Sequence, residues 1–284
     1  MPRPKKPKEL TTILIDADIP AFSSVSVCLE DFEWTPDSGL WATYVNMTDA
    51  KAIFKKAIED ILEAAGTDKA VLCITGSRNF RKDLLPTYKG VRPRKPPGYR
   101  EFQTWIVEES GYQTFLREGL EGDDCLGILA TAPVLEGRKI IWSIDKDLMQ
   151  IPCTHMKLTK PVPTFVEVSE RDGELLHVRQ TLTGDTTDNY KGLVGFGPVA
   201  VEKFLEKHKD QPLPVIWEAV ETEYVKRGFT REDMLVQARC ARILRGSDYD
   251  FTNKRVILWS PPENESSLST SASAVPSAET PANA

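Results

Sequence analysis

The sequence predicts an α/β fold with a mostly parallel central sheet. Short apolar runs of strand length alternate with segments of helical periodicity, which is the pattern of parallel strands joined by crossover helices. Acidic residues directly follow two of these runs, at the sheet edge where α/β proteins place their sites. The chain has 284 residues, enough for one large domain or two modest ones.

The first half of the chain contains most of the predicted sheet. Its first strand is Thr11–Asp16, a run rich in β-branched residues that ends in an acid. A helix at 48–65 has one apolar stripe between a cap at Thr48 and Gly66. The other predicted elements are strands at 69–74, 111–117 and 138–144 and helices at 101–109 and from the acids at 121–124 to about Ala132.

The second half is predicted to be largely helical. Short strands at 155–158 and 165–168 precede an Asp-Gly turn within 169–174, after which 175–178 would pair back as a hairpin. Further elements are a helix after Pro198, helices at 213–227 and 231–244, and an extended piece at 255–259. The predicted organisation is a basic disordered arm at 1–10, a core at 11–178, a helical region at 179–260 and a disordered tail at 261–284.

Composition excludes several classes of protein. No apolar run approaches the ~18 residues needed to span a membrane, and the basic start lacks the apolar stretch of a signal peptide. The five cysteines are scattered without a Cys-x-x-Cys pair, which favours a reducing cytoplasm and argues against a zinc ribbon. The three histidines are too far apart in sequence to show metal-ligand spacing.

Clustered carboxylates are the most informative feature of the sequence. Glu121, Asp123 and Asp124 fall within four residues, and Asp145 and Asp147 end another apolar run. A helix N-terminus favours any one such acid, but three together need cations or open water. Hard oxygen ligands select Mg²⁺ or Mn²⁺ over zinc. We therefore predict a metal site at Glu121, Asp123, Asp124, Asp145 and Asp147, and we place Asp16, Asp185 and Asp188 in the same cleft.

The charge distribution is compatible with a nucleic-acid partner despite a net charge of -6. Removing the eight acids of the predicted cleft from the 42 acidic residues leaves 34 against 36 basic residues. Residues 78–100 hold eight basic residues and one acid, interleaved with aromatic rings and four prolines. Cations follow phosphates and rings stack on bases; the alternative is a solvated basic loop. The prolines disfavour a continuous helix here. The residues concerned are Arg78, Arg81, Lys82, Tyr88, Lys89, Arg92, Arg94 and Lys95.

A glycine-rich segment provides a second predicted nucleic-acid contact. Gly192, Gly195 and Gly197 precede a helix that carries Lys203, and glycines let backbone N–H groups approach a phosphate. The segment is more specific because Asp185-x-x-Asp188-Asn189 comes directly before it.

Four blocks of sequence together resemble the 5′-nuclease superfamily, which contains flap endonucleases, the 5′-nuclease domain of bacterial DNA polymerase I and the 5′→3′ exonucleases of tailed phages. The phage exonucleases are most similar. The blocks are Ile15-Asp16, Leu85–Arg92, Glu121–Asp124 with Ser143–Leu148, and Gly184–Gly197.

This resemblance implies a PIN-like Rossmannoid core, a helical arch at 77–100 and a C-terminal helix-three-turn-helix region that grips DNA. It implies two divalent ions. Asp16, Glu121 and Asp123 would hold the first, and Asp145, Asp147, Asp185 and Asp188 the second, with Asp123 or Asp124 bridging. Lys89 would act in catalysis with Asp16, Asp123 and Asp145. Tyr88, Lys89 and Arg92 would steer the 5′ strand, and Gly192–Gly197 would bind duplex, aided by K⁺.

The chain departs from the family at one place. The family has a further aspartate just after the second strand, whereas Ile74-Thr75-Gly76-Ser77 has none, so Thr75 or Ser77 would act there through water.

The resemblance implies a divalent-metal-dependent 5′→3′ exonuclease that hydrolyses DNA from 5′ ends. RNA of RNA–DNA hybrids and 5′ flaps are further expected substrates, in phage DNA replication or host DNA degradation, with replication proteins as partners. The alternatives are a structure-specific flap endonuclease and a catalytically impaired DNA-junction-binding protein. A PIN-type ribonuclease is less favoured because such enzymes usually lack the glycine-rich clamp.

Overall fold

A six-stranded sheet organises the structure, a computed structural model that describes residues 10–158 and 162–263. The strands are β1 (Thr11–Asp16), β2 (Leu29–Glu33), β3 (Trp41–Val45), β4 (Ala70–Thr75), β5 (Gln113–Arg117), β6 (Arg138–Trp142), β7 (Thr154–Lys157), β8 (Thr164–Glu167), β9 (Tyr249–Asp250) and β10 (Arg255–Val256). The helices are α1 (Asp18–Val27), α2 (Met47–Ala65), α3 (Arg81–Leu84), α4 (Tyr99–Glu108), α5 (Gly122–Thr131), α6 (Glu170–Thr183), α7 (Pro198–His208), α8 (Leu213–Lys226) and α9 (Arg231–Ala241).

The main sheet has the order β5-β4-β1-β6-β7-β8. Its first five strands are parallel, and only the edge strand β8 is antiparallel. The predicted α/β class with a mostly parallel sheet is confirmed. Because β1, β4 and β6 are neighbours, their carboxyl ends meet at one edge, and the acids that follow them come together there.

The sheet is buried on both faces. Ile13 and Ile15 of β1 pack with α1, α2 and α4, whereas Leu14 between them packs with α5 on the opposite face. This alternation follows from the two-residue period of a strand. The segment 243–249, far along the chain, completes the second of these cores.

Helix α2 begins one residue before its predicted cap. The side chain of Asn46, rather than that of Thr48, caps the helix by accepting a hydrogen bond from the backbone N–H of Asp49. Gly66 ends the helix as predicted, with φ +67°.

The predicted hairpin at 169–178 is wrong, because this segment forms helix α6. Ser169 caps the helix by accepting from the N–H of Asp172. Gly173, which suggested a turn, lies inside the helix, where an added Cβ would come 2.3 Å from the carbonyl oxygen of Gln150. The glycine therefore serves close packing of α6 on the 3₁₀ turn at Lys146–Gln150.

The β2–β3 hairpin and helix α1 were not predicted. The hairpin forms a two-stranded sheet of its own and carries exposed aromatic rings, including Trp34 and Trp41. Its residues 29–45 contain four acids and no base, and their apolar residues do not alternate regularly with polar ones as in a half-buried strand.

The basic segment 77–100 contains the short helix α3 and otherwise turns until α4 begins at Tyr99. This agrees with the expectation that its prolines prevent a continuous helix, and it corrects the helical arch at 77–100 that the resemblance implied. The fold therefore places a largely non-helical segment beside the carboxyl edge of the sheet.

Helices α6 to α9 pack on one another around a third core that includes Val178, Trp217 and Met234. The predicted boundary between residues 178 and 179 falls within α6. No helix in the described part of the chain has the length and apolar character needed to cross a membrane. The predicted arm at 1–10 and tail at 261–284 lie almost wholly outside the described residues.

Candidate active site

The carboxyl edge of the sheet opens into a cavity of about 910 Å³. Acids reach it from the end of β1, the first turn of α5, the segment after β6 and the turn after α6. Seven of the eight predicted metal ligands line this one cavity: Asp16, Glu121, Asp123, Asp145, Asp147, Asp185 and Asp188. The structure therefore brings together residues spread over more than half of the chain.

Asp124, the eighth, does not fit a metal-binding role. Its side chain is fully buried and accepts four hydrogen bonds, which occupy both oxygens. The guanidinium of Arg81 donates two at 2.7 and 2.8 Å, and the backbone N–H groups of Leu244 and Glu121 donate one each, both at 3.1 Å. A metal ion would have to displace a complete set of donors, so the prediction for Asp124 is corrected.

The pKa values of Asp16 and Asp123 are both strongly raised. Burial, and then the charges of Asp18 and Asp145, raise the pKa of Asp16 to about 7, although the Ser143 hydroxyl donates a hydrogen bond to it at 2.8 Å. Burial and the charges of Asp16, Glu121 and Asp145 raise the pKa of Asp123 well above its usual value. These two carboxylates therefore lack sufficient positive charge around them.

A second group of acids surrounds Asp147. Burial, followed by the charges of Asp145 and Asp185, raises the pKa of Asp147 to about 6. The charge of Asp145 raises the pKa of Asp16, of Asp123 and of Asp147, so Asp145 interacts with both groups of acids. Its carboxylate also accepts a hydrogen bond from the N–H of Asp147 at 2.8 Å.

Glu121 and Asp188 are, in contrast, already neutralised by cations. Lys89 Nζ contacts Glu121 and lies 3.4 Å from Asp188, and Arg92 donates to Asp188 at 2.6 Å. Burial alone would raise the pKa of Glu121, but the charges of Lys89 and Arg81 hold it below its usual value. The cavity lining thus contains two kinds of acid: Glu121 and Asp188, which are paired with cations, and Asp16, Asp123, Asp145 and Asp147, which have no ion pair among the described residues.

This arrangement suits a hard divalent cation that is only partly coordinated by protein. Among residues 10–158 and 162–263, no group of three or more His, Cys, Asp or Glu side chains is arranged so that it could hold a metal ion by itself. Mg²⁺ usually keeps several waters and takes one or two carboxylates together with phosphate oxygens of a substrate. The unpaired acids Asp16, Asp123, Asp145 and Asp147 supply such carboxylates and an excess of negative charge.

The predicted nucleic-acid-binding residues of the basic segment fall into two sets. Arg81 is only 2% exposed and is committed to Asp124 and Glu121, and it also donates to backbone carbonyl groups near the end of α9. Tyr88 is equally buried, and its hydroxyl donates towards Glu121 at 3.1 Å and Asp188 at 2.9 Å. Both side chains line the cavity, but their polar groups are engaged by these protein partners, and their contact with DNA stays a prediction. The other set is partly or fully exposed: Arg78, Lys82, Lys89, Arg92, Arg94 and Lys95.

The three glycines after α6 that were predicted to contact a phosphate have different surroundings. The N–H of Gly192 donates to the side chain of Gln237 at 2.8 Å, and a Cβ on Gly192 would lie 2.3 Å from the backbone nitrogen of Gly184. Gly192 therefore permits two backbone segments to cross and is not free for a phosphate. Gly195 and Gly197 have open space where a side chain would be, and Lys203 is exposed on α7.

The place of the missing family aspartate is occupied by a hydrogen-bond network. Thr75 Oγ1 accepts from the N–H of Gly122 at 2.9 Å, and Ser77 donates to Glu118 at 2.8 Å, outside the cavity lining. The N–H of Thr75 donates to Asp18 at 3.0 Å. Asp18, the first residue of α1, was not predicted as a site residue but also lies in the cavity beside Thr75. The Asp-x-Asp spacing at a strand end was the available signal.

The geometry agrees with the comparison to known proteins. The family described as the 5′-3′ exonuclease N-terminal, resolvase-like domain matches residues 32–180, more than half of the chain. This chain belongs to the 5′-3′ exonuclease family. The exonuclease of Escherichia phage T7 is 30% identical to this family member, with 88% of this chain and 93% of that protein covered. The exodeoxyribonuclease of Enterobacteria phage T3 is 29% identical, with 88% and 92% covered.

A solved structure supports the fold of this 5′-3′ exonuclease. The T5 5′-exonuclease with bound zinc ions matches with a TM-score of 0.53, covering 81% of this chain and 91% of that one. At 15% identity the likeness shows the fold alone. The predicted membership in the 5′-nuclease superfamily, with similarity to phage exonucleases, is confirmed.

Proposed function

We propose that this family member hydrolyses DNA phosphodiesters from 5′ ends in a reaction that depends on two divalent ions, Mg²⁺ or Mn²⁺. The observation that carries the proposal is a single cavity lined both by acids without an ion pair and by the cations Lys89 and Arg92. The unpaired acids require cations, and Lys89 and Arg92 would meet a phosphate that enters the cavity.

Asp16 and Asp123 would hold one ion and Asp147 and Asp185 the other, with Asp145 between them. When bound, such ions activate a water molecule and stabilise the charge that develops on the phosphate and on the leaving oxygen. Asp188 and Glu121 would act mainly by holding Lys89, whose ammonium group would offset charge on the scissile phosphate.

The exposed cations of the basic segment would guide the 5′ strand towards this cavity. Arg78, Lys82, Arg94 and Lys95 are accessible to phosphates. On the far side, Gly195 and Gly197 with Lys203 would contact the duplex backbone, in a helix-three-turn-helix arrangement built from α6 and α7, with K⁺ as a further ligand of the turn. RNA in RNA–DNA hybrids, 5′ flaps, replication partners and a cytoplasmic location belong to the same proposal.

Cleavage of a 5′-labelled duplex tests this function. We expect nucleotide release that requires Mg²⁺ and stops with EDTA. Asp145→Asn and Asp123→Asn should each abolish release while DNA binding survives, since carboxylates are lost but the basic segment is not. Near-normal cleavage by both variants would contradict the proposed metal site.

A panel of nicked, blunt, gapped and flapped DNA separates the possible activities. Exonuclease action should release nucleotides from every accessible 5′ end, whereas a flap endonuclease would cut mainly at the branch. DNA binding without any cleavage would instead favour a catalytically impaired junction-binding protein.

A further inference from the structure

Two distant segments clasp each other beside the cavity. The backbone N–H of Lys89 donates to the carbonyl oxygen of Asp188 at 2.8 Å, and the side-chain amide of Asn189 donates to the carbonyl oxygen of Thr87, also at 2.8 Å. These reciprocal bonds join residues 87–89 of the basic segment to the turn after α6. Tyr88 adds to the clasp because its ring stacks on that of Tyr190, with centroids 6.5 Å apart.

The turn that carries Asn189 is itself closed. Asp185 and Tyr190 exchange backbone hydrogen bonds of 2.9 and 3.1 Å, and the Asp185 carboxylate accepts from the N–H of Asp188 at 3.0 Å. Asn189 adopts a left-handed backbone with φ +59°, a conformation that asparagine tolerates better than most residues. Its conformation and its amide therefore both serve the clasp.

The backbone conformation of Lys89 also depends on this arrangement. Lys89 too has a left-handed backbone, φ +51°, which is unfavourable for a lysine and persists only if surrounding contacts hold it. Its ammonium group reaches Glu121 and Asp188 from that backbone. If residues 87–89 adopted a backbone conformation with negative φ at Lys89, the Lys89 side chain would project in a different direction.

We propose that Asn189 is a positioning residue of this nuclease, whose amide fixes residues 87–89 against the 185–190 turn and thereby sets where Lys89 presents its charge. The inference rests on the proposed function, because it assigns Lys89 to the scissile phosphate. It also makes the position of the basic segment depend on the C-terminal helical region.

Asn189→Gly tests the amide by itself, since glycine keeps the left-handed backbone but cannot donate to Thr87. A misplacement of about 1 Å can cost about a hundredfold in rate, and we expect kcat on a 5′-labelled duplex to fall about ten- to a hundredfold. KM, and the affinity for the duplex with Ca²⁺ in place of Mg²⁺, should stay close to those of the unchanged protein. The matched control is Asn253→Gly, at an exposed turn, which should cleave normally.

Two further measurements separate positioning from general stability. Lys89→Met should lose activity on its own, and adding Asn189→Gly to it should cause no further loss, because both changes remove the same interaction. Hydrogen–deuterium exchange of the metal-free protein should be faster at residues 87–92 in Asn189→Gly than in the unchanged protein, with the unfolding temperature nearly unaltered.

Several outcomes would overturn the proposal. These are an unchanged kcat, losses that multiply in the double variant, unchanged exchange at 87–92, or a loss of activity that only follows a loss of folded protein. If the unchanged protein does not cleave DNA at all, the proposed function fails instead, and the exchange experiment still reports on the clasp.

Discussion

Replacing Asp16 by asparagine is expected to stabilise the metal-free protein even though it removes a proposed metal ligand. The Asp16 carboxyl is only 5% exposed and lies close to the charges of Asp18 and Asp145. Its pKa is raised from 3.8 to about 7, first by burial and then by these charges. The folded protein therefore binds the Asp16 proton more tightly than the unfolded chain does.

The size and sign of the effect follow from this difference. Each pKa unit corresponds to ~1.4 kcal/mol, so an ionised Asp16 costs the folded state about 4 kcal/mol. The metal-free protein loses this stability as the pH rises from about 4 to about 7 and does not regain it above that range. Asparagine has a similar volume, carries no charge and can still accept from Ser143. We expect Asp16→Asn to gain up to about 4 kcal/mol at pH 8 and less than about 2 kcal/mol at pH 5.

Urea denaturation in EDTA at the two pH values measures the gain, with Asp68→Asn as a control at an exposed acid. Excess Mg²⁺ should then reduce the gain, because only the unchanged protein recovers stability from the ion. If Asp16→Asn is no more stable than the unchanged protein at pH 8, the carboxylates are not held together against repulsion, and the electrostatic argument for a metal site fails.

Three other predictions concern groups away from the unpaired acids. Arg81→Met leaves a buried carboxylate without its cation and should lose ~3–5 kcal/mol in urea denaturation, whereas Arg94→Met, at an exposed cation, should lose almost nothing. Gly192→Ala places a Cβ against the backbone at a left-handed φ of +62° and should lose ~2 kcal/mol or more by thermal unfolding; an unchanged unfolding temperature would contradict the crossing of the two segments. Burial holds the pKa of His177 well below 6.5, so stability from its neutral form is present above pH 6.5 and is lost as the pH falls below it. His177→Gln should therefore show a shallower loss of stability between pH 7 and pH 5, and equal slopes would refute this.

Sequence reasoning located the sheet and the acids because both follow from local pattern and from one geometric rule. Parallel strands end at a common edge, so acids placed after β1 and β6 had to approach one another. The motif around Asp185 and Asp188 added the remaining members, although nothing in local sequence places them there. Their position depends on how α6 packs against the core.

Errors arose where a distant partner decides the role of a residue. Asp124 looks like Asp123 in sequence, but Arg81 and Leu244 approach only Asp124. Arg81 looks like the other basic residues of its segment and is instead buried. Gly173 suggested a turn, yet it is required by close contact with Gln150. These distinctions come from packing between residues that lie tens to more than a hundred positions apart in the sequence. Local periodicity and motif spacing carry no information about such contacts.

The contact between Asp124 and the segment after α9 has a consequence for how the protein is made. The carboxylate that anchors the first turn of α5 accepts from the N–H of Leu244, and the N–H of Gly246 donates to Thr131 at the end of the same helix. Residues 243–249 also complete the core beneath α5. During synthesis the helix that presents Glu121 and Asp123 therefore emerges more than a hundred residues before its support. We expect a chain that is still being synthesised to lack an ordered metal site, so nuclease activity would begin only after nearly the whole described chain has been released.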